Sequence, residues 1–214
     1  MVLTRMINKD TLCEYLDELY PNAHCELNYH NLFELLIAVS LSAQTTDISV
    51  NKVTPVLFKK YPTPHDLSKA DIKNVEEILK PLGLYRNKAK NIVLASQKIV
   101  DDFKGEIPQD LDLLATLPGV GHKTASVVFV EGFKLPAFPV DTHVSRISKR
   151  LGIGKENDDV EAIEAKLKRL IPMDKWGKTH HQMIHFGRYF CKAKNPNCEN
   201  CKLKGFCNYY KSLK

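Results

Sequence analysis

The chain has 214 residues, enough for one large domain or two small ones, and its 43% hydrophobic content can build real cores. Thirty-one Lys and Arg against 25 Asp and Glu leave a net charge of +6, compatible with a polyanionic partner without identifying one. No apolar run reaches membrane-spanning length and "MVLTRMINKDTLCEYLDELY" lacks a secretory core, so membrane and secreted classes are excluded; a soluble, cytoplasmic or nucleoid-associated protein is expected.

Helical periodicity runs through almost the whole chain. "KDTLCEYLDELYP" places Leu12, Leu16 and Leu19 on one stripe and stops at Pro21. "NLFELLIAVSLSA" is apolar nearly all round, the pattern of a central buried helix. "TDISVNKVTPVLFKKY" follows, then "SKADIKNVEEILKPLG", where Ser68 three residues before Asp71 gives a capping-box pattern and Pro81 and Gly83 give a stop. "YRNKAKNIVLASQKIVDDFKG" is amphipathic, with Ile92, Ile99, Val100 and Phe103 turned inward. "PQDLDLLATLPG" reads as a short helix with Pro108 in its first turn. After "VGHKTASVVFVEGF" come "DTHVSRISKRLGI", "DDVEAIEAKLKRLIP" and "WGKTHHQMIHFGRYFC". No stretch shows sustained strand alternation, so the fold class is all-α. Pro136 and Pro139 in "GFKLPAFPVD" interrupt the pattern and mark a candidate seam; no low-complexity linker separates the parts.

Three constellations carry chemistry. In "LPGVGHKTA", a P-loop fails because His122 precedes Lys123, and a dinucleotide fingerprint fails because Thr124 stands where a third glycine belongs. What remains is helix, turn, helix: either an ordinary connection or a helix-hairpin-helix grip on a DNA backbone. In the second case Gly119, Val120 and Gly121 let backbone N–H groups approach a phosphate, and His122 and Thr124 open the second helix. A helix start disfavours a lysine. Burial would act in the same sense, so Lys123 is expected below the ordinary ~10.4, toward the pKa of about 7–8 that suits an attacking amine. Such an amine can attack a sugar C1′ and hold it as a Schiff base.

In "FPVDTHVSR", Asp141 stands at an N-cap position, and a carboxylate fixed there could also stabilise positive charge on a sugar ring. His143 reads as a phosphate contact or solvated face rather than an acid or base. Cys191, Cys198, Cys201 and Cys207, with six, two and five residues between them, form a four-thiolate metal site for zinc or for a cubane cluster. Cys13 and Cys25 read as buried thiols. Lys192, Lys194, Lys202 and Lys204 flank the cysteines, a basic loop suited to salt-dependent DNA binding. His181 and His185 have a metal-compatible spacing, but no metalloprotease Glu follows, and helix packing with DNA-side polar contacts is the stronger reading.

In this order, "LLIAVSLSAQTTDISVNK", "LPGVGHKTASVV", "VDTHVSRISKRLG", "KWGKTHHQMIHFGRYFC" and the cysteine spacing resemble the endonuclease III family, DNA glycosylases with abasic-site lyase activity, along nearly the whole chain. The resemblance implies one 4Fe–4S cluster on the four cysteines, with iron–sulfur preferred over zinc. It implies a six-helix barrel of residues 25–135, with the helix-hairpin-helix at about 114–129, and an iron–sulfur domain built from 1–24 and 136–214. Lys123 takes the place of the family's Schiff-base lysine and Asp141 that of its catalytic aspartate. Gln44 and Leu84 fall where the family fills the duplex gap left by base flipping; without the resemblance Leu84 reads as core and Gln44 as incidental. His122 stands where relatives often carry arginine, which weakens a fixed phosphate contact at neutral pH. The implied function is removal of oxidised pyrimidines from double-stranded DNA, then strand cleavage 3′ to the abasic site by β-elimination, by a monomer without membrane partners. Lys123 argues against a purely hydrolytic mismatch glycosylase, and Lys123 with Asp141 argues against a non-catalytic DNA-binding module.

Overall fold

The computed structural model describes residues 7–213; the first six residues of the expected iron–sulfur domain, and Lys214, lie outside the described residues. Among the described residues the chain is helical with no strand, and no helix is long and apolar enough to cross a membrane. It divides into two compact units, Glu26–Leu135 and Met1–Cys25 with Pro136–Lys214, so the chain changes unit at the first of the two prolines in "LPAFP".

Helix α1 (Lys9–Leu19) belongs to the second unit. The first unit carries α2 (Leu32–Leu41), α3 (Asp47–Lys60), α4 (Pro64–Ser68), α5 (Ile72–Leu79), α6 (Tyr85–Phe103), α7 (Leu111–Ala115) and α8 (His122–Glu131). Asn31 caps α2 by accepting from the Glu34 N–H at 2.9 Å, and nearly every residue behind it is buried. Leu36 of α2 shares a core with Ala95 and Ile99 of α6 and with Ala125 and Val128 of α8. The inward face of α6 runs through Ala89, Ile92, Val93 and Ile99, whereas Val100 and Phe103 are only half-buried.

Two helix starts differ from the sequence reading. The capping box belongs to α4: the Thr63 Oγ1 accepts from the Asp66 N–H at 3.2 Å and the Asp66 carboxylate accepts from the Thr63 N–H at 3.1 Å. Ser68 ends that helix, and Asp71 is itself the N-cap of α5, accepting from the Lys73 N–H at 2.9 Å. "TPHD" and "SKAD" carry the same spacing five residues apart, and the box forms at the one with Pro64 at the first helical position. Helix α7 begins at Leu111 rather than Pro108, because the Asp110 carboxylate accepts from the Asp112 and Leu113 N–H groups, both at 2.9 Å. A proline merely tolerates a first turn, whereas an aspartate satisfies its donors.

The second unit packs α1 with α9 (Thr142–Arg150), α10 (Val160–Leu170), a 3-10 turn (Met173–Lys175), α11 (Trp176–His185), a π-helical turn (Phe186–Phe190) and α12 (Asn208–Ser212). Leu12, Leu16, Phe138, Val144, Ile147 and Met183 lie in its core. Buried Gln182 tethers α11 to α1, its Nε2 donating to Asp17 Oδ1 at 2.8 Å and to the Tyr20 carbonyl at 3.2 Å.

Helix α8 approaches α2 closely at its C-terminus. A Cβ on Gly132 would lie 2.5 Å from Leu32 Cδ2 and 2.8 Å from the Val128 carbonyl oxygen, and the backbone oxygen cannot move aside without opening α8. Gly132→Ala should therefore lower stability by about 1–3 kcal/mol. Thermal melting of the purified variant checks this, with an unchanged midpoint as the contrary result.

Candidate active site and cluster pocket

The hairpin of the first unit is built by α7, the turn Thr116–Gly121 and α8. Gly119 has φ +77°, and a Cβ there would lie 2.8 Å from Asn91 Cβ, so both the backbone and α6 require glycine. Val120 is buried and its N–H donates to the Leu117 carbonyl at 3.0 Å, closing the turn. Gly121 differs: its φ is −88° and an added Cβ would meet nothing within 4 Å. Neither backbone nor packing demands glycine there, and its effect is to leave open space before the helix end. The first intrahelical bond runs from the Ala125 N–H to the Gly121 carbonyl at 3.0 Å, so the N–H groups of the first turn point outward from the helix start. His122 is exposed, Thr124 is buried, and Lys123 between them is half-buried on that first turn.

Gln44 and Leu84 lie in the same unit, both exposed and both with left-handed backbone, at φ 54° and 57°. The core reading of Leu84 is corrected, since the side chain is 57% exposed. Left-handed backbone costs a non-glycine residue roughly 1–2 kcal/mol. Exposed Lys104, Lys134 and Asn195 share that backbone; Leu84 differs from them in leaving a large apolar side chain in the open.

In the second unit, Asp141 is the N-cap of α9, half-buried, with Oδ1 accepting from the Val144 N–H at 2.8 Å. His143 is pressed against Gly187 of the π-helical turn, where an added Cβ would lie 2.8 Å from His143 Cβ, so it is no solvated face. Burial pushes its pKa below the ordinary histidine value, with Arg146 and Arg188 acting in the same direction and Asp141 opposing. The imidazole is accordingly neutral at physiological pH.

The same helix carries two residues that spacing alone does not single out. Arg146 Nη2 donates to the carbonyls of Gly187 at 2.8 Å and Cys191 at 3.1 Å. Arg150 Nη1 donates to the Lys192 carbonyl at 2.8 Å and to Cys191 Sγ at 3.2 Å, and its Nη2 to the Ala193 carbonyl at 3.1 Å. Its guanidinium also lies 4.1 Å from the centre of the Tyr209 ring. In the sequence both look like the basic face of an exposed helix; the one available hint is their four-residue spacing, which puts them on one side.

Cys191, Cys198, Cys201 and Cys207 are free thiols lining one pocket, walled by Ile147, Leu151, Phe186 and Phe190. Burial pushes the Cys201 thiol up to about 11 and raises Cys198 as well. Thiolates in such walls need positive charge beside them, which a bound metal group supplies. Four thiols on one pocket suit a metal group held by several thiolates, zinc or an iron–sulfur cluster. The N–H groups of Tyr210, 3.5 Å from Cys207 Sγ, and of Arg150 add donors to the sulfurs.

The remaining residues separate by their surroundings. Lys192 and Lys194 are exposed, whereas Lys202 pairs with Glu18 at 2.6 Å and Lys204 donates to the Glu199 carbonyl at 2.7 Å. His181 is buried, and the His185 ring packs edge-on to Tyr20 and Tyr189 with centroids 5.8 and 5.7 Å apart. Cys13 is buried and Cys25 half-buried. Purified protein should be brown and contain about four irons and four sulfides per chain. Cys198→Ser should lose iron and melt earlier, measured by metal analysis and calorimetry; a colourless protein with one zinc would contradict the pocket's reading.

Residues 37–173 match the HhH-GPD superfamily of base excision DNA repair proteins, and residues 191–207 match the iron–sulfur binding domain of endonuclease III. Endonuclease III of Bacillus subtilis is 50% identical over 90% of this chain and 88% of its own length. The solved structures of a trapped covalent endonuclease III–DNA intermediate with an estranged adenine and of a non-covalent endonuclease III–DNA complex are each 49% identical. Each superposes with a TM-score of 0.92 over 97% of this chain and 99% of theirs. The chain belongs to the endonuclease III family, and is a base-excision DNA glycosylase and abasic-site lyase with that family's 4Fe–4S cluster.

Proposed function

We propose that the protein removes oxidised pyrimidines from double-stranded DNA as a monomer and then cleaves the strand by β-elimination, with Lys123 as nucleophile and Asp141 as charge stabiliser. The observation that carries this reading is the amine on the first turn of α8, directly behind a turn whose Gly121 leaves the helix end open. Phosphate oxygens bind the outward N–H groups of that turn and gain from the helix dipole. The relative solved as a trapped intermediate is an endonuclease III joined covalently to DNA, which supports a covalent step in the reaction.

The damaged nucleotide leaves the stack, and Gln44 and Leu84 fill the gap. The Lys123 Nζ lone pair attacks C1′ as the glycosidic bond breaks, and the base departs with the electron pair and takes up a proton. The Asp141 carboxylate, held by the Val144 N–H, stabilises the positive charge that develops on the sugar. Loss of a proton from Lys123 and opening of the ring give the iminium. Removal of a C2′ proton then expels the 3′ phosphate, and water releases the amine. When bound, the cluster supplies four iron–thiolate bonds that fix the 191–207 loop, on which Lys192 and Lys194 stand exposed.

Borohydride should lock the protein covalently to damaged duplex, and Lys123→Gln should abolish the adduct while lesion DNA still binds. A trapped adduct at the wild-type rate in that variant would assign the chemistry to another amine. Asp141→Asn should keep the cap and lose most base excision, with a smaller loss on a ready-made abasic site, because the carboxylate acts mainly as the base leaves. In the salt dependence of binding to undamaged duplex, Lys192→Ala with Lys194→Ala should flatten the log-affinity slope by about one to two.

A further inference from the structure

Lys88 is a buried amine with no part in the chemistry above, only 7% exposed on α6. It lies one turn beyond Leu84, whose carbonyl accepts from the Lys88 N–H at 3.0 Å. Its Nζ donates to Thr45 Oγ1, and that hydroxyl in turn donates to the Ala43 carbonyl at 3.5 Å. Ala43 and Thr45 flank Gln44. One side chain thus closes a chain of ammonium, hydroxyl and carbonyl across the left-handed turn at Gln44, from a position one helical turn beyond left-handed Leu84; the Lys88 N–H bond to Leu84 is the ordinary opening bond of α6.

The lysine is not explained by space filling. A methionine would occupy a similar volume without placing an ammonium among buried atoms, where desolvation disfavours charge. Burial does lower the Lys88 pKa, yet the hydrogen bond to Thr45 is what an apolar side chain could not make. Strained backbone at non-glycine residues persists only where the surroundings over-determine it. Here one side chain links the turn at Gln44 to the helix that begins directly after the turn at Leu84, 40 positions on.

We propose that Lys88 is a positioning residue that couples the turns at Gln44 and Leu84, holding both side chains at a fixed spacing for joint insertion into the duplex. The proposal rests on the gap-filling role assigned to Gln44 and Leu84 above.

The test compares Lys88→Met, Thr45→Val, Thr45→Ser and the Lys88→Met/Thr45→Val double variant with Leu84→Ala. The readouts are single-turnover excision on a lesion duplex, fluorescence of 2-aminopurine opposite the lesion, and melting temperature. Lys88→Met and Thr45→Val should each slow excision about tenfold, as expected for one hydrogen bond that matters at the transition state. Each should also weaken the 2-aminopurine signal. The double variant should lose no more than either single one, and Thr45→Ser, which keeps the hydroxyl, should behave as wild type. Wild-type excision and fluorescence in folded Lys88→Met or Thr45→Val would overturn the proposal, as would additive losses or a Thr45→Ser as impaired as Thr45→Val. Should Lys88→Met fail to fold, the Thr45→Val and Thr45→Ser pair decides. If Leu84→Ala is itself unimpaired, the gap-filling reading fails; if Leu84→Ala is impaired while the Thr45→Val and Lys88→Met variants are not, the coupling alone fails.

Discussion

Arg150 and Arg146 tie α9 to the start of the cysteine loop, and the second unit's functional geometry depends on that tie. The two guanidinium groups reach four backbone carbonyls (Gly187, Cys191, Lys192 and Ala193) and one cysteine sulfur. Hydrogen bonds with a charged donor contribute roughly 1.5–3 kcal/mol each, about twice the neutral kind. Asp141 sits at the N-terminus of that helix and the arginines on its later turns, so the aspartate's helix and the metal loop form one assembly. The π-helical turn, with Gly187 against His143, provides a second contact between the two.

The first unit solves a different problem, exposing specific side chains without letting them wander. It does so with backbone held in unfavourable regions: Gly119 at the hairpin, and Gln44 and Leu84 at the two turns. Glycine removes the steric penalty at the hairpin, where Asn91 also leaves no room for a side chain. Gln44 and Leu84 hold the left-handed region without being glycine, and buried Lys88, one turn beyond Leu84, reaches Thr45 beside Gln44. The contrast between Gly119 and Gly121 makes the same point within one turn: the fold requires the first and leaves the second as open space.

Much of this was legible before any coordinates. The apolar period around "NLFELLIAVSLSA" marks a helix that must be buried, and α2 is buried almost throughout. Four cysteines within 17 residues mark a metal site, because thiolates at that density bind metal or form disulfides, and all four are free thiols on one pocket. Helix starts were less legible. "TPHD" and "SKAD" present the same spacing five positions apart, and Pro64 favours the first through a backbone preference that a side-chain pattern does not register.

The sequence by itself determined the helical class, the family, the metal-binding loop and the residue types available for the chemistry, since these follow from local period, spacing and side-chain identity. Only the tertiary structure decided that Leu84 stands exposed on strained backbone, that Arg146 and Arg150 clamp the cysteine loop, and that Lys88 reaches Thr45. These rest on contacts between residues some 40 positions apart, and the period of a helix reports which face a residue shares but not what lies opposite that face.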